Sequence, residues 1–427
     1  MSYKLSSPPS PTRRAQPQGH DIHPQPIPTI ATRPPKRQSP GPANRTAPMN
    51  TQLCRKLGID FPLLAFSHCR DVVAAVSRSG GFGVFGASGC TPEQLEIELT
   101  WIDAHSEGRP YGVDLLIPEN LAIRTDPGAT QRDIAAQVPQ PHRTFVNDLL
   151  RRHDIDPTSG AQERENPDRP PSYQYETGEN LMDVAFRHPI RLIANALGVP
   201  PASMLDRARR HAIPCAALVG AREHADRQVA AGVDINVAQG TEAGGHCGEV
   251  STLVLVPEVI KAVQGKVPVL AAGGIMTGRQ MAACMAMGAA GAWTGSVWLA
   301  TTESETSPIF RAKMVAARSR DTIRSRGRTG KPARQLRSAW TDAWDAPESP
   351  GALPMPLQGI ISEPAMARIN RAAETGNPRA RELVTYFVGQ GVGLIEDIPT
   401  CRQVVAAFMA EFADALEDMQ RLSDSGG

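Results

Sequence analysis

No stretch of this 427-residue chain approaches the ~20 consecutive apolar residues that span a bilayer, so no transmembrane helix is expected. An excess of one charge is also missing. Lys and Arg (45) nearly balance Asp and Glu (44), and the net charge of +1 gives no general attraction to nucleic acid or to an anionic membrane. There is no CxxC pair. The seven cysteines, Cys54, Cys69, Cys90, Cys215, Cys247, Cys284 and Cys401, are scattered without metal-ligand spacing, so no metal site is expected. Their odd number and wide separation suit reduced thiols. Nor is there a nucleotide P-loop: Thr329-Gly330-Lys331 runs into Pro332 and lacks the glycine spacing upstream. What is left is a chain expected to be soluble and cytoplasmic. Its 41% hydrophobic content is enough for a substantial core, and its length suits one large domain or two ordinary ones.

Large aliphatic side chains are nearly absent up to Pro48, where Pro, Arg, Gln and Ser dominate. Such a segment cannot bury enough surface to offset the entropy of ordering, so residues 1–50 are expected to be a disordered tail. It has no apolar core of the kind a signal peptide needs. Arg13, Arg14, Arg33, Lys36 and Arg37 could touch an acidic partner, but a solvated tail is the simpler reading. Met49 directly precedes the first structured segment and is a candidate start.

From residue 58 onward, short β-rich runs alternate with helical segments. Strands are expected over 61–66, 82–87, 111–117, 190–196, 213–219, 233–238, 267–272 and 290–294. Most of these are continuously apolar, as in parallel strands covered on both faces. Between them, 71–79 places Val72, Val73 and Val76 on one helix face before a Gly80-Gly81 stop. Thr91-Pro92-Glu93 supplies an N-cap, an N1 proline and an acidic first turn, and Thr277 caps 278–287 in the same way. Eight strands with helices between them predict a TIM barrel over 51–302, with an open doubly wound sheet as the alternative. Residues 118–187 are too long for an ordinary βα connection. They hold a helix near 141–152 and a polar, Pro-rich stretch over 154–178, placed where a lid over the C-terminal face of the barrel would lie. Residues 303–427 read as a helical region packed on the barrel. They begin with an Arg-rich part up to Arg337 and close with a helix over 401–422, in which Val404, Val405, Phe408, Met409, Phe412 and Leu416 form an apolar stripe.

Three strand ends finish in small residues: Gln239–Gly248 after the sixth, Gly273-Gly274 after the seventh and Gly295-Ser296 after the eighth. On a barrel, the last two positions commonly bind phosphate, helped by a helix N-terminus. Tight turns without a ligand are the plainer alternative for either pair alone. His246, among glycines, has three readings: a structural hydrogen-bonder, a metal ligand, or an acid/base beside a cofactor. It lacks a metal-ligating partner at i+3 or i+4, with Glu242 only a weak hint, and its near-neutral titration suits proton transfer. Cys247 is a candidate nucleophile without an evident activating base, or an inert small residue. His68 either faces the same cavity or caps the following helix.

These elements together resemble the nitronate monooxygenase family. The residues that carry the likeness are 61–71 with 76–86, Gly112-Val113-Asp114, 238–248, 267–277 and 288–301, and Gly389-Gln390-Gly391-Val392-Gly393 is also similar. The resemblance implies an FMN-dependent TIM-barrel enzyme that oxidises alkyl nitronates with O2 to a carbonyl compound and nitrite. It matches the catalytic histidine to His246 and the phosphate loops to Gly273, Gly274, Gly295 and Ser296. It matches flavin contacts to Ala65, Phe66, Ser67, Asp114, Gln239, Gly244 and Gly245. The chain departs from many members in reading Ala65-Phe66-Ser67-His68 where they carry a Pro-Met pair. The FMN-dependent enoyl-acyl-carrier-protein reductases share a similar glycine-histidine element and give an alternative, as does a non-redox barrel for phosphorylated ligands.

Overall fold

The computed structural model describes Met49 and residues 51–117, 131–159 and 175–424. Most of the expected tail, and residues 118–130 and 160–174 of the expected insertion, lie outside the described residues. In chain order the strands are β1 (Leu63–Ser67), β2 (Phe82–Gly86), β3 (Tyr111–Leu115), β4 (Ile193–Asn195), β5 (Cys215–Val219) and β6 (Ile235–Gln239). They continue with β7 (Gly245–His246), β8 (Val269–Ala272), β9 (Gly291–Thr294), β10 (Thr322–Ser325) and β11 (Ala333–Leu336). Eight of them close a parallel barrel in the order β1-β2-β3-β4-β5-β6-β8-β9, and β1 meets β9 through Leu63↔Ala292, Leu64↔Trp293 and Ala65↔Thr294. The eight expected runs are these eight strands, and the TIM barrel is the fold. The doubly wound alternative fails because that last pairing leaves no open edge.

Continuous apolar runs are explained by what lies on each side of the wall. Alternate side chains of a strand point to opposite faces. Leu64, Phe82, Val84, Val237, Leu270 and Trp293 fill the barrel. Their neighbours Leu63, Ala65, Ala238, Val269 and Ala292 face the helices, against Val72, Val76, Val259, Met281 and Phe408. Each large apolar side chain taken fully out of water contributes about 1.5–3 kcal/mol.

The helical layer follows its caps. Arg70–Arg78 buries Val72, Val73 and Val76. Thr91 forms a complete capping box with Gln94 at the start of Pro92–His105, its Oγ1 accepting the Gln94 N–H at 3.2 Å while Gln94 Oε1 accepts the Thr91 N–H at 2.8 Å. Thr277 Oγ1 accepts the Gln280 N–H at the start of Gly278–Ala286.

Past the barrel, Cys401–Asp424 lays Val404, Val405, Phe408, Met409 and Phe412 on the outer helical layer. The expected stripe stops there, because Leu416 is 53% exposed. Two helices of the insertion, Gln131–Ala136 and Gln140–Arg152, share one apolar cluster with the C-terminal region, where Ile134, Val146, Leu149 and Leu150 pack with Trp340, Trp344 and Ile361. A third, Tyr175–Ala185, buries Leu181, Met182 and Val184 in the cluster around β3 instead. The helix expected near 141–152 is therefore present, and it is tied into a core. The C-terminal region also contains two strands where helices alone were expected. β10 and β11 pair antiparallel, and β11 pairs with β7 on its other side. Among the described residues no helix is long and apolar enough to cross a membrane.

Candidate active site

Parallel strands in one barrel bring their C-terminal ends to one mouth, and most of the residues singled out in the sequence sit at that end. Phe66 and Asp114 belong to the inward-pointing set. Phe66 stacks over Trp293 (centroids 6.4 Å apart, planes at 24°), and His68 meets it edge-on at 5.1 Å. His68 does not cap the following helix. Its Nδ1 donates to the Gly86 carbonyl at 2.7 Å, which leaves Nε2 as the second ring nitrogen. Desolvation by the surrounding protein lowers the His68 pKa against the opposing effect of the Gly86 bond. Ser67 Oγ accepts the Cys69 N–H at 3.1 Å. Ala65 points away from the mouth into the helical layer, so only its backbone is available to a ligand there.

Asp114 is the penultimate residue of β3 and is buried. Its Oδ1 has no hydrogen-bond partner. Burial pushes its pKa up to about 7, with a backbone N–H from Ala196 opposing the shift. A carboxyl group in this setting is neutral through much of the physiological range, and an unpaired buried oxygen is costly. Gln239, at the end of β6, is half-buried and sits beside Ala272 of β8 in the strand register.

Of the two expected phosphate turns, only Gly273-Gly274 is built from constrained backbone, since Gly295 has φ −132° and a Cβ there would meet nothing within 4 Å. Gly273 (φ +104°) and Gly274 (φ +69°) lie in the left-handed region, and a Cβ on Gly273 would stand 2.7 Å from Thr252 Oγ1 and 3.0 Å from both backbone polar atoms of Gly240. Ser296 Oγ accepts the Gly389 N–H at 2.8 Å, which leaves its own proton free to donate. Gly278 N–H donates to Glu411 Oε2 at 2.8 Å, so a carboxylate from the C-terminal helix sits at the start of the helix that follows the Gly273-Gly274 turn. Glu242 is likewise a capping group here, because its Oε2 accepts the Thr252 N–H (2.9 Å) and hydroxyl (2.8 Å) at the start of Thr252–Val263.

His246 differs most from its sequence reading. It does not lie in a loop without large neighbours. It is half of β7, held in register opposite Ala333, with Gly245 opposite Arg334. Its Nε2 lies 2.8 Å from Thr329 Oγ1, and its ring is tilted against Phe387 at 6.3 Å. The residue as a whole is exposed to solvent. Enclosure by protein, and then the Lys331 cation, lower its pKa, so the imidazole is neutral at pH 7.

The Arg-rich segment explains how this strand is held. Arg334 Nε donates to the Thr241 carbonyl at 2.9 Å, and Arg324 Nη2 donates to the Cys247 carbonyl at 3.3 Å. Cys247 Sγ donates to the Thr241 carbonyl at 3.4 Å, and burial pushes its thiol up, which is the environment of an inert cysteine. Gly244 passes so close to the 388–389 backbone that a Cβ would stand 2.9 Å from Gly389 N, and Gln390 N–H donates to the Glu242 carbonyl at 2.8 Å. Thr329, Lys331, Arg334, Phe387 and Gln390 were not identified from the sequence as site residues. Of these positions only 389–393 carried a signal, as part of the resemblance.

A closed (β/α)8 barrel with polar and glycine-rich strand ends converging at its C-terminal mouth defines an enzyme of the TIM-barrel class. The sequence pattern of the nitronate monooxygenase family matches residues 57–411, and the chain belongs to that family, which makes it a flavin-dependent oxidoreductase. A Mycobacterium tuberculosis protein named as a monooxygenase is 52% identical over 378 residues, covering 88% of this chain and 99% of its own. A Staphylococcus saprophyticus protein named as a nitronate monooxygenase is 27% identical, over 67% of this chain and 79% of its own. Among solved structures, nitroalkane oxidase from Streptomyces ansochromogenes is similar at 25% identity and a TM-score of 0.67, over 84% of this chain and 98% of that one. FabK from Thermotoga maritima is similar at 25% identity and a TM-score of 0.65, over 88% and 99%.

Proposed function

We propose that the protein is an FMN-dependent nitronate monooxygenase, which oxidises alkyl nitronates, and neutral nitroalkanes after deprotonation, with O2 to a carbonyl compound and nitrite. The observation that carries this reading is His246, a solvent-exposed residue held 2.8 Å from Thr329 Oγ1, whose pKa is lowered by its protein surroundings and then by the Lys331 cation. Family membership and the likeness to a nitroalkane oxidase support the same substrate class.

The chain's own residues fit a phosphorylated flavin. The left-handed Gly273-Gly274 turn and the free proton of Ser296 Oγ would hold the phosphate, with the backbone of Gly295 beside them. Asp114 Oδ1, buried and unpaired, would gain a partner from a polar edge of the ring system. Phe66, Ser67, Gln239, Gly244 and Gly245 would line the remaining contacts. When bound, FMN supplies the electron sink and the reaction with O2.

What the protein must do is bind, orient and deprotonate. A nitronate is already an anion, so Lys331 draws it in and His246 orients its oxygens. A neutral nitroalkane first gives its α-proton to the His246 imidazole, for which a base with a pKa below its ordinary value remains unprotonated into mildly acidic solution. The likeness to FabK supports a second reading, in which NADH or NADPH reduces the flavin and an enoyl group is the acceptor. Anaerobic titration of the yellow holoprotein separates the two. Bleaching by a nitronate but not by NADH or NADPH is expected, and bleaching by NADH or NADPH alone would replace the first reading with the second.

A further inference from the structure

We infer that Thr329 is a positioning residue whose hydroxyl holds His246 as the tautomer with its proton on Nε2, so that Nδ1 is the atom that takes the proton from a neutral nitroalkane. This rests on the reading of His246 as the base.

The argument is a count of protons. Thr329 Oγ1 has one hydrogen to give and two lone pairs to accept with. Three groups lie around it: His246 Nε2 at 2.8 Å, the Lys331 carbonyl at 3.2 Å and the Lys331 N–H at 3.3 Å. The carbonyl can only accept and the N–H can only donate. All three contacts are satisfied together when the hydroxyl donates to the carbonyl and accepts from both the Lys331 N–H and a protonated Nε2. In the other tautomer the hydroxyl must turn to Nε2, and its contact with the Lys331 carbonyl becomes one between two oxygens with no proton between them. Nδ1 has no protein hydrogen bond among the described residues, so it is the lone pair left for chemistry.

The hydroxyl is held in place from behind. Gly330 has φ +85°, and a Cβ there would collide with the Leu353 carbonyl, so the turn that presents Thr329 cannot shift toward 353–355. The preceding Arg328 is buried and paired with Glu363, and its guanidinium lies over Phe387 at 5.1 Å, the same ring that tilts against His246. The Thr-Gly-Lys tripeptide, which fails as a nucleotide loop, is thus assigned a different task. In the proton transfer, the α-carbon–hydrogen bond breaks and its electron pair stays on the substrate as the nitronate. The proton goes to Nδ1, and the imidazolium that forms keeps its Nε2–H on Thr329.

Nitrogen-15 NMR of the full-length protein labelled in histidine, with the His246 signals assigned by their loss in His246→Asn, should show the Nε2–H tautomer above the imidazole pKa. An Nδ1–H signal in the wild type would overturn the inference. In steady-state kinetics of the holoenzyme, Thr329→Val should lower kcat on a neutral nitroalkane by about 10- to 100-fold, as expected for a misplaced base, and lower turnover of the preformed nitronate, whose oxygens His246 only orients, by a clearly smaller factor. Thr329→Ser should restore the neutral substrate. Equal losses on both substrates, or no loss on either, would remove the positioning role. Full turnover by His246→Asn would instead remove the base reading beneath it, and the NMR result distinguishes that failure from an error in the tautomer.

Discussion

Gly389 donates its backbone N–H to Ser296 Oγ across 2.8 Å, joining a turn at the end of the last barrel strand to a segment 93 residues further along the chain. The bond fixes the hydroxyl oxygen as an acceptor toward Gly389 and so aims its proton elsewhere. With Ser296→Ala, FMN affinity should fall about 10- to 100-fold, the loss of one hydrogen bond to a charged group. Fluorescence titration of the flavin-free protein with FMN measures this. Unchanged affinity would take Ser296 out of the phosphate site.

His246 should survive as the central residue in a different test. His246→Asn is expected to keep FMN bound while losing turnover, by 10²-fold or more on neutral nitroalkanes, roughly the contribution of a positioned base. Absorbance spectra report retention of the flavin, and nitrite release reports turnover. Wild-type rates on both substrates would end the assignment.

Lys331 depresses the His246 pKa, and its removal has a definite sign. In Lys331→Met the imidazole should titrate at higher pH, so the acid limb of kcat/KM for a neutral nitroalkane moves upward. KM for the anionic nitronate should rise in the same variant. An acid limb that stays in place or moves downward would show that the ammonium does not act on the ring.

Asp114 offers a stability test that needs no substrate. Its carboxyl is held neutral in the folded state up to about pH 7, whereas in the unfolded chain it ionises near its ordinary value, about 4. Between those two values the folded state holds the extra proton, so stability falls as pH rises through this window and the full penalty is present above it. Asp114→Asn carries no such penalty. The Tm of the flavin-free variant should therefore exceed that of the wild type by a margin that grows from pH 5 to pH 8. A margin that shrinks over that range would refute the raised pKa.

Arg334 is buried while its guanidinium serves the Thr241 carbonyl and Thr322 Oγ1. Arg334→Met should leave the barrel folded but loosen β7, visible as faster amide exchange over 241–247 and a lower kcat with FMN still bound. Protection equal to the wild type would mean the clamp is dispensable.

How much of this was readable in advance follows from what each residue does locally. The barrel strands were legible because burial on both faces leaves an unbroken apolar run, as in 267–272. The turn after β8 was legible because its left-handed backbone calls for glycine at 273 and 274. The small sheet was hidden for two reasons. β7 is two residues long, too short for any periodicity, and the arginines of β10 and β11 look like solvent charges although they are spent on backbone carbonyls. Thr329 was out of reach for a third reason: its partner is 83 residues away, and no local pattern records that separation. Glu411 was hidden for the same reason, since the helix start at Gly278 that it caps lies 133 residues away.

Because β7 is shared, the strand that carries His246 leaves the barrel wall and completes a sheet whose other two members come from the C-terminal region. A chain cut after the eighth barrel strand would keep the wall pairings, but it would lose the Gly389 contact to Ser296, the Cys401–Asp424 cover of the helical layer and the β11 partner of His246. A chimaera that exchanges the 239–248 loop between relatives would have to carry 322–336 with it. The contacts that seat this strand come in pairs, one half in 239–248 and the other more than 75 residues downstream, so a library that varies either half alone is expected to disturb the seat of His246.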